Sequence, residues 1–261
     1  MPLRTVQATR YVTPLREGGS LPAVIEADDD GLYVLKFRGA GQGAKALIAE
    51  LVAGEIARGA DLPVPEIVFV ELDPDLARTE PDPEIQALIR ASAGLNLALD
   101  YLPGSVTFDP LVETVDAELA SRIVWFDAFV TNLDRTPRNT NMLLWHRRLW
   151  LIDHGAALYF HHDWADYLTR SRSAFALVKD HVLLPSASRL AQADAAMSML
   201  VTPEKIARIV SLIPDGWLAG DEAILSDPAR QRAAYIAYFA SRLRAPRTFV
   251  EEAIRARALH L

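Results

Sequence analysis

The sequence predicts an α+β chain in two parts, strand-rich over residues 1–103 and mainly helical over residues 104–261. Three observations predict it. Apolar runs flank an Asp-Gly turn within the first forty residues, a helical period takes over after Gly43, and strand signals become sparse beyond Asp116.

Taken in order, residues 22–27 and 32–37 lie either side of Asp28-Asp29-Asp30-Gly31, and an Asp-Gly pair between two such runs marks a β-hairpin. Glycine-rich connections precede it at 16–20 and follow it at 38–43. Residues 44–60 read as a helix with Ile48, Leu51, Val52 and Ile56 on one stripe, ended by Gly59 with Pro63 beyond. A short buried strand follows at 67–70. Asp, Glu and Pro crowd residues 71–92, as in a surface loop that has room for a short helix. Residues 95–102 read as a strand closed by Pro103-Gly104. In the second part, 117–131 is an amphipathic helix, and 142–145 with 149–152 form a hairpin turning at His146-Arg147-Arg148. Helix starts recur at Thr202-Pro203-Glu204 and Asp227-Pro228, and Thr248-x-x-Glu251 has the capping-box pattern. No internal repeat is visible.

Composition narrows the function classes. The chain has 261 residues, 51% hydrophobic and 23% charged, which is globular and not disordered. Lysine and arginine number 27 against 34 acidic residues, a net charge of −7 that argues against a generic grip on nucleic acid or anionic membrane. With no cysteine, disulfides, thiolate nucleophiles and Cys-type zinc sites are excluded. Neither a signal-peptide core in residues 1–19 nor an apolar run of roughly 18 residues is present, so a soluble, cytoplasmic protein is expected.

The stretch richest in chemistry is Asn132-Leu133-Asp134-Arg135-Thr136-Pro137-Arg138-Asn139-Thr140-Asn141, a loop between a helix and a hairpin. Nineteen residues after Asp134, Asp153 follows an apolar strand, with Gly155 two further on. A loop carboxylate, an amide five residues later and a second carboxylate at a strand end offer the hard oxygen ligands that Mg²⁺ prefers. Phosphoryl transfer uses such a set. It also needs a strand lysine to neutralise phosphate charge and a helical glutamate to orient that lysine. Lys36 and Glu50 fit these two places. On a helical wheel Glu50 falls away from the apolar stripe and Glu55 inside it, which leaves Glu55 in reserve.

These residues carry a resemblance. Val34-Leu35-Lys36-Phe37, Ile48-Ala49-Glu50-Leu51 with Leu62-Pro63-Val64-Pro65-Glu66, Asn132-x-Asp134-Arg135-x-x-x-Asn139 and Ile152-Asp153-His154-Gly155 resemble the HipA-like kinases, relatives of protein kinases and phosphoinositide-type kinases. The resemblance implies a two-lobed protein-kinase-like fold, with a strand-rich N-lobe, a mainly helical C-lobe, and ATP and Mg²⁺ between them. It implies Asp134 as general base, Asn139 and Asp153 as metal ligands, Lys36 on the α/β-phosphates and Glu50 holding Lys36. The thirteen-residue spacing from Glu50 to Pro63 matches the family. Gly19 and Ser20 would supply a short glycine loop, and Asp100 and Leu102 the connector against adenine. The acceptor is an unidentified hydroxyl, on a protein Ser/Thr or a small molecule. The chain lacks the His-Arg-Asp and Asp-Phe-Gly spellings of typical protein kinases, and neither toxin activity nor an antitoxin partner carries over.

Two other readings compete. One is a catalytically inactive ATP-binding pseudokinase. The other is a metal-dependent hydrolase built on Asp127, Asp134 and Asp153, with cleavage indifferent to Lys36→Ala; Asp127, within a helix, reads better as structural. His154, His161 and His162 show no His-x-x-x-His pattern and read as ordinary polar residues. Trp145, Trp150, Trp164 and Trp217 read as packing residues.

Overall fold

In the computed structural model, residues 3–15, 21–218 and 227–259 are described. The chain opens with β1 (Thr5–Pro14), β2 (Ala23–Ala27) and β3 (Leu32–Lys36), followed by α1 (Ala44–Gly59) and β4 (Ile67–Leu72). A 3₁₀ turn (Pro74–Thr79) and α2 (Pro83–Ala91) lead into β5 (Gly94–Asp100) and the two-residue β6 (Val106–Thr107). Then come α3 (Ala117–Val130), β7 (Met142–Trp145), β8 (Arg148–Leu151) and α4 (Tyr167–Arg170). The chain finishes with α5 (Leu190–Leu200), α6 (Pro203–Val210), α7 (Asp215–Leu218), α8 (Pro228–Leu243) and α9 (Thr248–Ala258).

The predicted hairpin is β2–β3, paired Ile25 to Tyr33 and Val24 to Val34. Its turn needs a left-handed residue, which Asp30 supplies at φ 61°. The first five strands close into a barrel in the order β1-β2-β3-β5-β4. Closure depends on β1, which the sequence did not delimit. It runs antiparallel to β2 and parallel to β4, with Val6 opposite Val70. Val6, Ile25, Leu35, Val70 and Ala98 fill the barrel with Ile85 and Ile89 of α2.

A second, larger core starts at α1 and continues through α3 to α9, so packing is continuous across residue 103. Within it Trp125 stacks on Phe129, with ring centroids 5.1 Å apart. Helix α3 begins at the Asp116 cap, whose carboxylate accepts from the Glu118 and Leu119 N–H groups. It stops at Thr131, which is left-handed at φ 55°. Buried Arg242 seals this end, donating to the Ala128 and Phe129 carbonyls and to Ser171 and Ser173.

Three local expectations change. The β7–β8 turn is only His146-Arg147, both left-handed, and Arg148 begins β8. The strand expected to reach Leu102 ends at Asp100. The capping box at Thr248 does not form: the cap position is Arg247, and the Thr248 hydroxyl donates instead to the Arg172 carbonyl at 2.6 Å. Among the described residues no helix is long and apolar enough to cross a membrane.

Candidate active site

The alternation of β3 buries Tyr33 and Leu35 in the barrel and turns Lys36 out of it. There Nζ lies 2.6 Å from Asp153 Oδ1 and 3.2 Å from Glu50 Oε2. Glu50 comes from the middle of α1 and is 1% exposed. It also accepts from the His154 backbone N–H at 2.9 Å, and its Oε1 lies 3.2 Å from His154 Nδ1. Three segments of the chain thus meet on one carboxylate. Glu55, the reserve, pairs with Arg58 instead.

The electrostatics follow from this packing. Burial works against the charge on Glu50, but Lys36 and then the His154 hydrogen bonds outweigh it and hold the carboxyl well below its usual range. Burial likewise opposes the Lys36 ammonium, yet Glu50 and Asp153 overcome it and raise its affinity for the proton. Asp153 is the open member, its side chain 42% exposed, with a left-handed backbone at φ 54°. Such strain persists only where the surroundings enforce it.

The second group is the loop after α3. Asn139 Nδ2 donates to Asp134 Oδ2 at 2.8 Å, and Asn141 Nδ2 reaches the same oxygen at 3.3 Å and the Asp134 carbonyl at 3.2 Å. Among the described residues Asp134 Oδ1 accepts no hydrogen bond. The loop itself is fixed from below by Asp127, which is fully buried. Its carboxylate accepts from Asn132 Nδ2 (2.8 Å), Arg135 Nε (2.6 Å) and His181 Nε2 (2.9 Å). His181 Nδ1 accepts from the Leu183 N–H, so its hydrogen is on Nε2. Burial resists the Asp127 charge, and Arg135 with His181 overrides it, keeping the carboxyl well below its usual range. Asp127 is therefore a strut under the loop, which removes it from the hydrolase set.

One hydrogen bond joins the two groups: the Ile152 N–H donates to the Asn141 carbonyl at 3.0 Å, immediately before Asp153. The structure thus brings Lys36, Glu50 and Asp153 together and gathers Asp134 with Asn139. Asp100 lies elsewhere, at the end of β5, its N–H donating to the Glu66 carbonyl. Burial and the nearby Glu66 charge push its carboxyl up. Leu102 is buried and its carbonyl accepts from Ser105. Gly19 and Ser20 lie outside the described residues. His154, read from sequence as an ordinary polar residue, is fully buried inside the site. Arg135, Asn141 and His181 also belong to it. The first two sit within the motif, but nothing in the sequence marks His181.

Among the described residues no three His, Cys, Asp or Glu side chains form a metal cage. The oxygen donors near the mouth are the Asp153 carboxylate and the amides of the Asp134 loop. One or two carboxylates suffice for Mg²⁺ when substrate phosphates complete its shell, so this donor set fits that ion. A groove of about 730 Å³ opens elsewhere, bounded by Arg58, Val64, Phe108, Asp116 and Arg148, and contains none of these residues.

The fold has solved counterparts. A proinflammatory kinase of Helicobacter pylori, CtkA, superposes with a TM-score of 0.54 at 13% identity, covering 100% of this chain and 99% of that one. The Golgi casein kinase gives 0.50 at 12% identity over 98% and 72%. No curated protein matches significantly in sequence. The pattern that defines HipA-like kinases matches residues 9–244. Because that match runs from β1 past the end of α8 and takes in both residue groups, the chain belongs to the HipA-like kinase family.

Proposed function

We propose that this kinase transfers the γ-phosphoryl group of ATP, with Mg²⁺, to a hydroxyl on a protein Ser/Thr or a small molecule. The observation that carries the reading is the Lys36–Glu50–Asp153 cluster, which joins β3, α1 and the residue after Ile152. A buried carboxylate that holds a lysine beside an open carboxylate is costly unless that lysine is needed there.

In this reading the barrel side, residues 1–103, forms the N-lobe, and residues 104–261 the C-lobe, with the nucleotide between them. The Lys36 ammonium meets the α/β-phosphates and Glu50 keeps it aimed. Asp153 and the Asn139 amide oxygen would hold Mg²⁺, which supplies positive charge against the phosphates. Asp134 takes the acceptor's proton. Its Oδ2 is oriented by two amides and its Oδ1 is left for the incoming hydroxyl. Adenine rests on the connector, where the Leu102 N–H donates to no protein acceptor among the described residues. Nothing here identifies the acceptor, so phosphate release from ATP and labelling of offered hydroxyl substrates are both assayed.

The test compares wild type, Asp134→Asn and Lys36→Ala. Loss of a general base costs roughly 100-fold or more in turnover. Asp134→Asn should therefore lose transfer at least that far while still binding a non-hydrolysable ATP analogue in the presence of Mg²⁺. Equal turnover by Asp134→Asn would remove it from the base role. Binding by wild type with no transfer to any acceptor would favour the pseudokinase.

A further inference from the structure

We infer that His154 is a positioning residue of the kinase site, whose side-chain N–H locks Glu50 so that Lys36 stays aimed at the phosphates. The inference rests on the phosphotransfer reading and extends it to a residue with no place in that mechanism.

The His154 ring is fully buried, and its Nδ1 faces Glu50 Oε1 at 3.2 Å. A carboxylate can only accept, so Nδ1 carries the hydrogen. Nε2 is buried with no partner among the described residues, which leaves the ring a single hydrogen bond. That bond has one address. Glu50 Oε2, the other oxygen, takes the His154 backbone N–H at 2.9 Å and lies 3.2 Å from Lys36 Nζ. Backbone and side chain of one residue therefore grip both oxygens of Glu50, and the carboxylate cannot rotate away from Lys36 without breaking both bonds.

One further contact fixes the ring. Phe126 of α3 meets it edge-on at 5.7 Å. On the α1 side, Gly54 lies one turn after Glu50 on the same helix face. A Cβ at Gly54 would come within 2.5 Å of Ile67 Cδ1 and 3.9 Å of His154 Nδ1. A glycine inside a helix disfavours it, and this one stands where a side chain would press on Ile67 of β4, with the ring at ordinary contact distance. Because His154 directly follows Asp153, the same residue that grips Glu50 also anchors the backbone of the open carboxylate. Lys36, Glu50, His154 and Asp153 form a closed circuit, and His154 is its one member to which the phosphotransfer reading gives no task.

The experiment uses the full chain and three variants, His154→Phe, His154→Asn and Glu50→Gln, with the double variant His154→Phe/Glu50→Gln. Each is measured for binding of a non-hydrolysable ATP analogue with Mg²⁺, for the KM and kcat of phosphate release, and for thermal unfolding. Phenylalanine keeps the ring and removes the donor. Asparagine places an amide N–H where Nδ1 was. His154→Phe should weaken analogue binding about tenfold and raise the KM for ATP in parallel, His154→Asn should recover most of that loss, and the double variant should bind no worse than Glu50→Gln alone. Binding by His154→Phe equal to wild type would overturn the inference. So would equal losses in the Phe and Asn variants, or additive losses in the double variant, which reads the coupling even if the asparagine variant does not fold. If wild type binds the analogue but transfers no phosphate, the phosphotransfer reading fails, and the binding series still judges His154.

Discussion

Substituting Asp127 by asparagine tests whether the strut beneath the Asp134 loop is as electrostatic as its geometry states. The change is isosteric, so packing around α3 is preserved. What is lost is a charge. The Arg135 guanidinium, its side chain 0% exposed, has Asp127 as its one carboxylate partner among the described residues and the Asn141 carbonyl as a further acceptor. Removing one member of a buried pair costs about 3–5 kcal/mol, because the remaining charge is left uncompensated. The hydrogen bonds add a second constraint. Three N–H donors converge on two oxygens of Asp127, and asparagine has only one oxygen. If that oxygen serves Arg135 and His181, the new amide N–H group faces Asn132 Nδ2, donor against donor. Asn132 relieves this by flipping, but its Oδ1 already accepts the Asp134 N–H at 3.2 Å. The disturbance therefore reaches the proposed base. At about 2–4 °C per kcal/mol for a chain of this size, the midpoint of thermal unfolding should fall by about 6–20 °C. Turnover should fall at temperatures where the variant is still folded. A variant that melts within 1 °C of wild type, with unchanged turnover, would refute the buried ion pair and the route from it to Asp134. Arg135→Met in the same background completes a double-mutant cycle, and the coupling between the two changes should exceed about 1 kcal/mol.

Two further outcomes follow from buried groups. His161 is fully buried against Tyr235, and burial first, then the nearby His162 and Lys45 charges, hold its ring well below the usual imidazole range. Because the unfolded chain takes up this proton near pH 6.5 and the folded chain does not, stability is present above about pH 6.5 and declines as pH falls. The unfolding free energy of His161→Phe, measured against pH between 6 and 5, should slope less than wild type by about 1 kcal/mol per unit; parallel slopes would contradict the buried neutral ring. For Gly54→Ala, helix propensity alone predicts a gain of about 1 kcal/mol. The 2.5 Å approach to Ile67 Cδ1 in a packed core predicts instead a net loss of about 1 kcal/mol. A higher melting temperature for Gly54→Ala would show that the end of the Ile67 side chain gives way to the new methyl group.

What the sequence disclosed and what it hid divide along the reach of each contact. The Asp134 loop is legible because its polar partners, Asn132, Asn139 and Asn141, lie within ten residues and their spacing constrains the fold of the segment. The same holds for the β2–β3 turn, where Asp30 provides the left-handed residue on the spot. Glu50 shows the limit. A helical wheel separates a solvent face from an apolar face, but α1 is buried from Leu47 through Gly54, with the barrel on one side and the helical core on others. No solvent side existed for the wheel to find, and only the family spacing to Pro63 picked out Glu50. Beyond that reach the sequence falls silent. The two buried residues of the β1 alternation, Val6 and Ala8, are too few to announce a strand, and its parallel pairing with β4 depends on residues more than sixty positions away. His181 meets Asp127 across 54 residues. Thr248 illustrates the converse: its local pattern promises a cap, but the Arg172 carbonyl, 76 residues back, claims the hydroxyl first. His154 belongs to both cases. Its backbone N–H is placed by a motif that can be read, whereas its side chain has meaning only once α1 has folded against it. That is why a residue adjacent to the open carboxylate looked ordinary in sequence, and why its role is best tested through Glu50, the partner that gives it one.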